Sequence, residues 1–372
     1  MKGAISVEKK EIISRSSFAV LITFFMIGTS ILITPSALAH EAKQDAWLAC
    51  LVGIGMNGLN AILYVVLGER FAGQTLAQYC ETILGKWLGK AVCLAFVMFF
   101  YLLASLMMGD LGFFVTSQIM QETPIETLQI LFALIVVMAV RSGFVVYTRA
   151  AVVFFPWLII LFLLLILPLL PKFNMNNFLP VFEYGVKPIL RGGFSFYGLQ
   201  EMSVLLMFYP FVARMRGLRS GFTAGIGVGG VILFITTVGS IAVLGEALTT
   251  NQLFPAYTLA KNISIGHFLE RVEGILISIW VLSIFIKITL TFHASLLGIV
   301  QILNIKDEKP LVAPLALGMI VLSLMCYPNT IYISDYLGRN WAPFSLIFTF
   351  FLPMMLLVVS WFRRKRSIPV KQ

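Results

Sequence analysis

Two short segments and one lysine carry most of the chemistry this sequence can offer. Glu201 stands in the apolar run Phe194-Ser195-Phe196-Tyr197-Gly198-Leu199-Gln200-Glu201, and Lys287 stands in Ile284-Phe285-Ile286-Lys287-Ile288-Thr289. A charge in the middle of such a run costs at least ~2.5–3.5 kcal/mol on membrane-insertion scales, so each must face a cavity or a partner. Glu201 has the chemistry to coordinate a cation, to bind a substrate ammonium or to take up a proton. Its bland alternative is to cap a resumed half-helix. Nothing near Lys287 in sequence neutralises it. Its partner must come from another helix, with Glu201 and Asp110 as candidates, or its ammonium takes the place of a coupling cation. The second segment, Gly28-Thr29-Ser30, interrupts another apolar run. Gly weakens a helix by ~1 kcal/mol, and Thr and Ser bond local backbone instead of extending it. A helix resuming at Ile31 aims free N–H groups at the gap, which suits an anionic ligand group; close helix packing on small residues is the competing reading.

The elements that must hold these residues are membrane helices. The 372 residues are 59% hydrophobic and 12% charged, with mean hydropathy +0.94. That composition excludes an ordinary soluble domain. Segments of ~20 apolar residues span a bilayer, and ten are read here: 16–38, 46–67, 88–115, 127–144, 150–170, 190–212, 222–245, 272–303, 311–327 and 341–362. The chain is therefore expected to be a single transmembrane domain over 1–372. Splitting it between spans five and six gives halves at about 16–171 and 190–362. Five is odd, so the second half enters the membrane inverted. Each half opens on an interrupted span, the first at Gly28-Thr29-Ser30 with Pro35 beyond, the sixth at Gly198 to Glu201 with Pro210 beyond. Matched interruptions of this kind point to a ligand site at the bilayer midplane. Gly28, Thr29, Ser30, Tyr197, Gly198 and Glu201 are the expected ligand-binding residues, with Tyr197 and Phe196 as an aromatic wall. Lys287, Glu201 and Asp110 are the candidates for ion or proton coupling.

The net charge of +10 is spread unevenly. With ten spans, nineteen of the 27 Lys and Arg residues fall on the side of both termini and seven on the other, Lys287 lying between. Both termini are expected in the cytoplasm. No basic stripe lies on a foldable soluble surface, so nucleic acid is excluded as a partner. The four cysteines are scattered and no His or Asp cluster accompanies them, so no metal, cofactor or disulfide framework is expected. Ala37-Leu38-Ala39 before His40 imitates a signal-peptide cleavage site. Cleavage there would strip the sixth span of its counterpart, and the segment is expected to stay. The glycine run 225–230 lies inside an apolar span with no strand before it and reads as helix packing. No nucleophile–base constellation appears, and an enzyme is not expected.

The motif Gly28-Thr29-Ser30-Ile31-Leu32-Ile33-Thr34-Pro35 resembles the G-x-x-I-L-x-x-P opening of the endospore germination permeases. Gly198, Glu201 and Pro210 resemble that family's G-x-x-E followed by Pro in span six. Length, span number and the basic residues Arg214, Arg216 and Arg219 also fit. The resemblance implies membership of the amino acid–polyamine–organocation superfamily and a LeuT-type 5+5 inverted repeat with discontinuous helices 1 and 6. It also implies the B subunit of a nutrient germinant receptor in the spore's inner membrane, working with an A subunit and a lipoprotein C subunit. The ligand would be an amino acid, a sugar or a similar nutrient. The alternative is a proton-coupled secondary transporter of amino acids or amines.

Overall fold

In the computed structural model, residues 12–212, 216–262, 272–327 and 340–363 are described. Lys2, Lys9, Lys10, Arg214, Arg271, Arg339, Arg364, Lys365, Arg366 and Lys371, which enter the charge count above, lie outside them. Among the described residues there is no β-strand. One parallel bridge joins Ile13 to Val212, with the Ile13 N–H donating to the Phe211 carbonyl at 2.8 Å.

The helices are α1 (Arg15–Ile27), α2 (Ser30–Ala42), α3 (Ala46–Arg70), α4 (Leu76–Leu84), α5 (Lys86–Gln118), α6 (Ile125–Ser142), α7 (Phe144–Ile166), α8 (Val186–Gly198), α9 (Arg216–Asn251), α10 (Pro255–Lys261), α11 (Glu273–Leu303), α12 (Lys309–Cys326) and α13 (Ala342–Phe362). Eight described stretches are long and apolar enough to cross a membrane; the first of them runs through α2 and α3. The expected first and sixth spans are present as interrupted pairs of shorter pieces. Local chemistry sets the ends. Ser14 accepts the Ser17 N–H to cap α1, Thr75 and Gln78 form a capping box on α4, and glycines at positive φ, Gly85 and Gly143, separate α4 from α5 and α6 from α7.

Packing follows the small residues. Gly221, Gly225 and Gly229 of α9 lie against Phe18, Ile22 and Met26 of α1, a stripe repeating every fourth residue on both helices. The Thr23 hydroxyl donates to the Gly225 carbonyl at 3.3 Å across that seam. The glycine run thus serves helix contact, as its apolar setting implies. Gly192 and Gly193 of α8 lie against Ala49 and Val52 of α3, and Gly53 receives the Phe196 ring. The opening helix of each half therefore packs on the second helix of the other half, α1 on α9 and α8 on α3. This is the exchange that two inverted halves produce.

Beyond the second interruption the structure departs from the expected half-helix. Residues Met202–Met207 and Tyr209–Phe211 wind as 3-10 turns. Pro210 has no N–H with which to continue an α-helical ladder, and the short run never acquires one.

Candidate functional site

The first interruption occurs at Gly28, whose backbone (φ 9°, ψ −116°) leaves the helix while its N–H still bonds to Phe24. Helix α2 restarts at Ser30, one residue before the expected Ile31, with no side-chain cap from Thr29. The second interruption begins at Leu199 and turns at Glu201, held at φ 27° and ψ 39°. Positive φ on a residue with a side chain costs of order 1–3 kcal/mol and persists only where the surroundings impose it.

Those surroundings are Lys287 and Trp341. The Lys287 ammonium lies 3.1 Å from Glu201 Oε2, 3.3 Å from the Leu199 carbonyl and 3.5 Å from Thr29 Oγ1. It also stands over the Phe25 ring at 5.1 Å from its centroid. The Trp341 indole donates to Glu201 Oε1 at 2.8 Å. Both charged side chains are buried, Lys287 at 1% and Glu201 at 3% exposure. The ion pair thus ties α11 to both interruptions at once. Glu201 makes no capping bond to the following turn, so the bland capping alternative does not hold.

The two interruptions also touch directly. The Gln200 amide donates to Ser30 Oγ at 3.1 Å, while its Oε1 and the Ser203 hydroxyl are buried with no hydrogen-bond partner. Gly28 has no room for a Cβ, which would lie 2.4 Å from Lys287 Cδ. Glycine is required there because the lysine stem crosses it.

Helix α13 lines the second interruption with one face. Trp341 meets Glu201, Ser345 Oγ donates to the Gly198 carbonyl at 3.0 Å, and Tyr197 donates to Thr349 Oγ1 at 3.5 Å. These three residues, Trp341 at the N-cap of α13 and Ser345 and Thr349 within it, are spaced four apart. A π-turn at Ile347–Phe351 frees the Thr349 carbonyl, which accepts from Tyr64 at 2.6 Å and Asn60 at 3.1 Å. π-turns inside α-helices are frequent at functional positions.

Gly28, Thr29, Ser30, Gly198, Glu201 and Lys287 are thus brought together. Tyr197 is beside them, its hydroxyl turned to α13. Phe196 packs away from the centre, its ring against Gly53 of α3. Asp110 is apart from the pair: its carboxylate accepts the Tyr327 hydroxyl, and Lys287 has taken Glu201 instead. Trp341, Gln200, Phe25, Thr349, Asn60 and Tyr64 were not singled out from sequence. His293 of α11 bonds Tyr147 at 2.8 Å, away from the ion pair. Among the described residues no group of three or more His, Cys, Asp or Glu gathers to hold a metal. A separate cleft of about 410 Å³ is lined by Gln44, Asn176, Asn177, Glu183, Gly245 and Glu246, none of which belongs to the interruptions.

A family model described as spore germination protein matches residues 12–331. The chain belongs to that family. The resemblance read from the two short motifs is thereby confirmed. Among its relatives are spore germination protein KB of Bacillus subtilis (strain 168), 26% identical over 368 residues, with 96% of this chain and 97% of the relative covered. Spore germination protein YndE of the same organism is 25% identical over 362 residues, covering 95% and 97%. Among solved structures, MhsT in complex with L-phenylalanine aligns with TM-score 0.71 at 13% identity, covering 95% of this chain and 99% of that one. The nucleobase-cation-symport-1 transporter Mhp1, closed around bromovinylhydantoin, aligns at 0.66 and 12% identity, covering 91% and 78%. The fold is LeuT-type and all-helical. Family members are multi-pass membrane proteins of spore germination, and the structural neighbours are transporters; neither group is enzymatic.

Proposed function

We propose that this germination-family protein binds a small nutrient, an amino acid, a sugar or a similar solute, between its two helix interruptions and passes the bound state to partner subunits. The observation that carries the proposal is the buried convergence of Gly28-Thr29-Ser30 with Gly198-Leu199-Gln200-Glu201 around one lysine. Buried charge, unmet hydrogen-bonding groups and strained backbone at one place favour a binding site over a packing seam. Thr29, Ser30, Tyr197, Gly198 and Glu201 are its walls, with Gly28 giving room to Lys287. The two halves, about 16–171 and 190–362, are the bodies whose arrangement the ligand biases. A ligand shifts such a balance only by its difference in affinity for the two arrangements. In this reading the protein acts in the spore's inner membrane with both termini cytoplasmic. An A subunit and a lipoprotein C subunit carry the response onward.

Ser30→Ala and Glu201→Gln test the site. Spores carrying either variant are expected to need at least tenfold more nutrient to germinate while the protein accumulates normally by immunoblot. Germination of both at the wild-type dose removes the site. A second reading, solute transport, is favoured by the alignment with MhsT, a structure solved with an amino acid bound. Saturable uptake of the nutrient by the purified chain in liposomes supports transport, and uptake no faster than in empty liposomes supports sensing.

A further inference from the structure

We propose that the Lys287 ammonium is a built-in cation filling a cation site formed by the two interruptions, so that the site keeps its shape without a bound inorganic ion. The inference deepens the function proposed above, since it concerns the same site and names what the site does not require.

The donor set has the composition of a monovalent-cation site. It holds one carboxylate oxygen (Glu201 Oε2), one backbone carbonyl released by a helix break (Leu199), one hydroxyl (Thr29) and one aromatic face (Phe25). Helix breaks expose carbonyls that have no ladder partner, and a cation is the natural group to satisfy them. An ammonium has three N–H donors and no acceptor, and three oxygens surround this one within 3.1–3.5 Å. The aromatic face adds a cation–π contact.

The tether is fitted to the site as closely as the head group. The lysine stem crosses Gly28 where a Cβ would lie 2.4 Å from Cδ, so the first interruption leaves a channel for the side chain. The second carboxylate oxygen is held by Trp341, which fixes the carboxylate toward the ammonium. Each interruption contributes at least one oxygen, so removing the cation would leave the Leu199 carbonyl and Glu201 facing one another unsatisfied.

The test uses the full-length protein purified in detergent, with thermal unfolding as the readout. Lys287→Ala retains Cβ and loses three methylenes and the ammonium, a fragment matched by n-propylammonium. The variant is expected to unfold at lower temperature than wild type. Millimolar n-propylammonium chloride should raise its midpoint by about 2 °C or more, through binding to the folded state alone. Tetramethylammonium, which has charge but no N–H, should not. Equal effects of the two ions, or no effect of either, overturn the proposal. Should Lys287→Ala not fold, wild-type protein decides. Its unfolding midpoint is expected to be the same in sodium, potassium and choline chloride at equal ionic strength, and a sodium- or potassium-specific rise overturns it. No nutrient enters these measurements. A site that binds no nutrient leaves their outcome unchanged, and the two proposals fail separately.

Discussion

Burying a carboxylate with an ammonium strips both of water, and the pair repays that only while both partners stay. Each oxygen of Glu201 has one donor, Trp341 on Oε1 and Lys287 on Oε2, and the ammonium has three acceptors. Every charged group of the pair therefore has a partner, and an incoming ammonium ligand would compete with Lys287 for Glu201. Removing one member of a buried pair costs about 3–5 kcal/mol, whereas replacing both with apolar groups is often neutral. Glu201→Leu is accordingly expected to destabilise by about that amount, and Glu201→Leu with Lys287→Met to recover most of it. Glu201→Gln keeps an acceptor for Lys287 and should cost no more than about 1–3 kcal/mol. Unfolding of the purified variants in detergent checks all three. A Glu201→Leu protein as stable as wild type would mean that the ammonium needs no counter-charge. The sequence showed that Lys287 and Glu201 needed partners, because charge inside an apolar run is expensive whatever surrounds it. It did not show which partners, since Lys287 is 86 residues from Glu201 and Trp341 is 140. Asp110 and Glu201 were equal candidates in one dimension. Only the packing of α5 against α12, which gives Asp110 to Tyr327, separates them.

At the scale of elements, the glycines of α9 set how closely it approaches α1. A Cβ on Gly225 would lie 2.5 Å from Ile22 Cβ and 2.8 Å from the Ala19 carbonyl, while one on Gly227 meets nothing within 4 Å. Gly225→Ala must push α1 away and is expected to cost about 1–3 kcal/mol. Gly227→Ala, two residues along the same helix, should cost nothing and is expected to stabilise by up to about 1 kcal/mol through helix propensity. Because α1 ends at Gly28, the first variant should also raise the nutrient dose needed for germination and the second should not. Equal unfolding midpoints and equal dose responses would mean that the seam does not position the site. The long helices were legible because ~20 consecutive apolar residues leave few other possibilities. Both interruptions were legible from Gly, Ser and Pro at matching places. The 3-10 winding of 202–211 was not, because Pro210 forbids one hydrogen bond without dictating what replaces it. The π-turn at Ile347–Phe351 was equally hidden. Nothing in Ile347-Phe348-Thr349-Phe350-Phe351 marks an extra residue per turn; what holds it is the capture of the Thr349 carbonyl by Asn60 and Tyr64 of α3.

At the scale of the molecule, the charge asymmetry acquires a structural role as well as a topological one. Arg70 donates to the Ser360 carbonyl, Lys90 to that of Ile302 and Arg363 to that of Ile83, at 2.6, 2.5 and 2.6 Å. All three acceptors lie in the last turns of helices, α13, α11 and α4, where carbonyls have no ladder partner and the helix dipole favours positive charge. Basic residues at one end of the bundle thus close helix ends, and in the expected orientation they also face the anionic headgroups of the cytoplasmic leaflet. At the other end Lys43 pairs with Glu246 at 3.1 Å, Gln44 donates to Glu183 at 2.7 Å, and Lys172 donates to the Asn262 carbonyl at the end of α10. The expected orientation puts the basic end, with both termini, inside the cell. A fluorescent protein fused after Gln372 should then fold and fluoresce, and alkaline phosphatase fused there should be inactive. Phosphatase inserted near Asn176, in the connection between α7 and α8, should be active. The reverse pattern would turn the molecule over. It would also place Lys90 and Arg363 on the outer face, where they would still cap their helices but would no longer account for the direction of insertion.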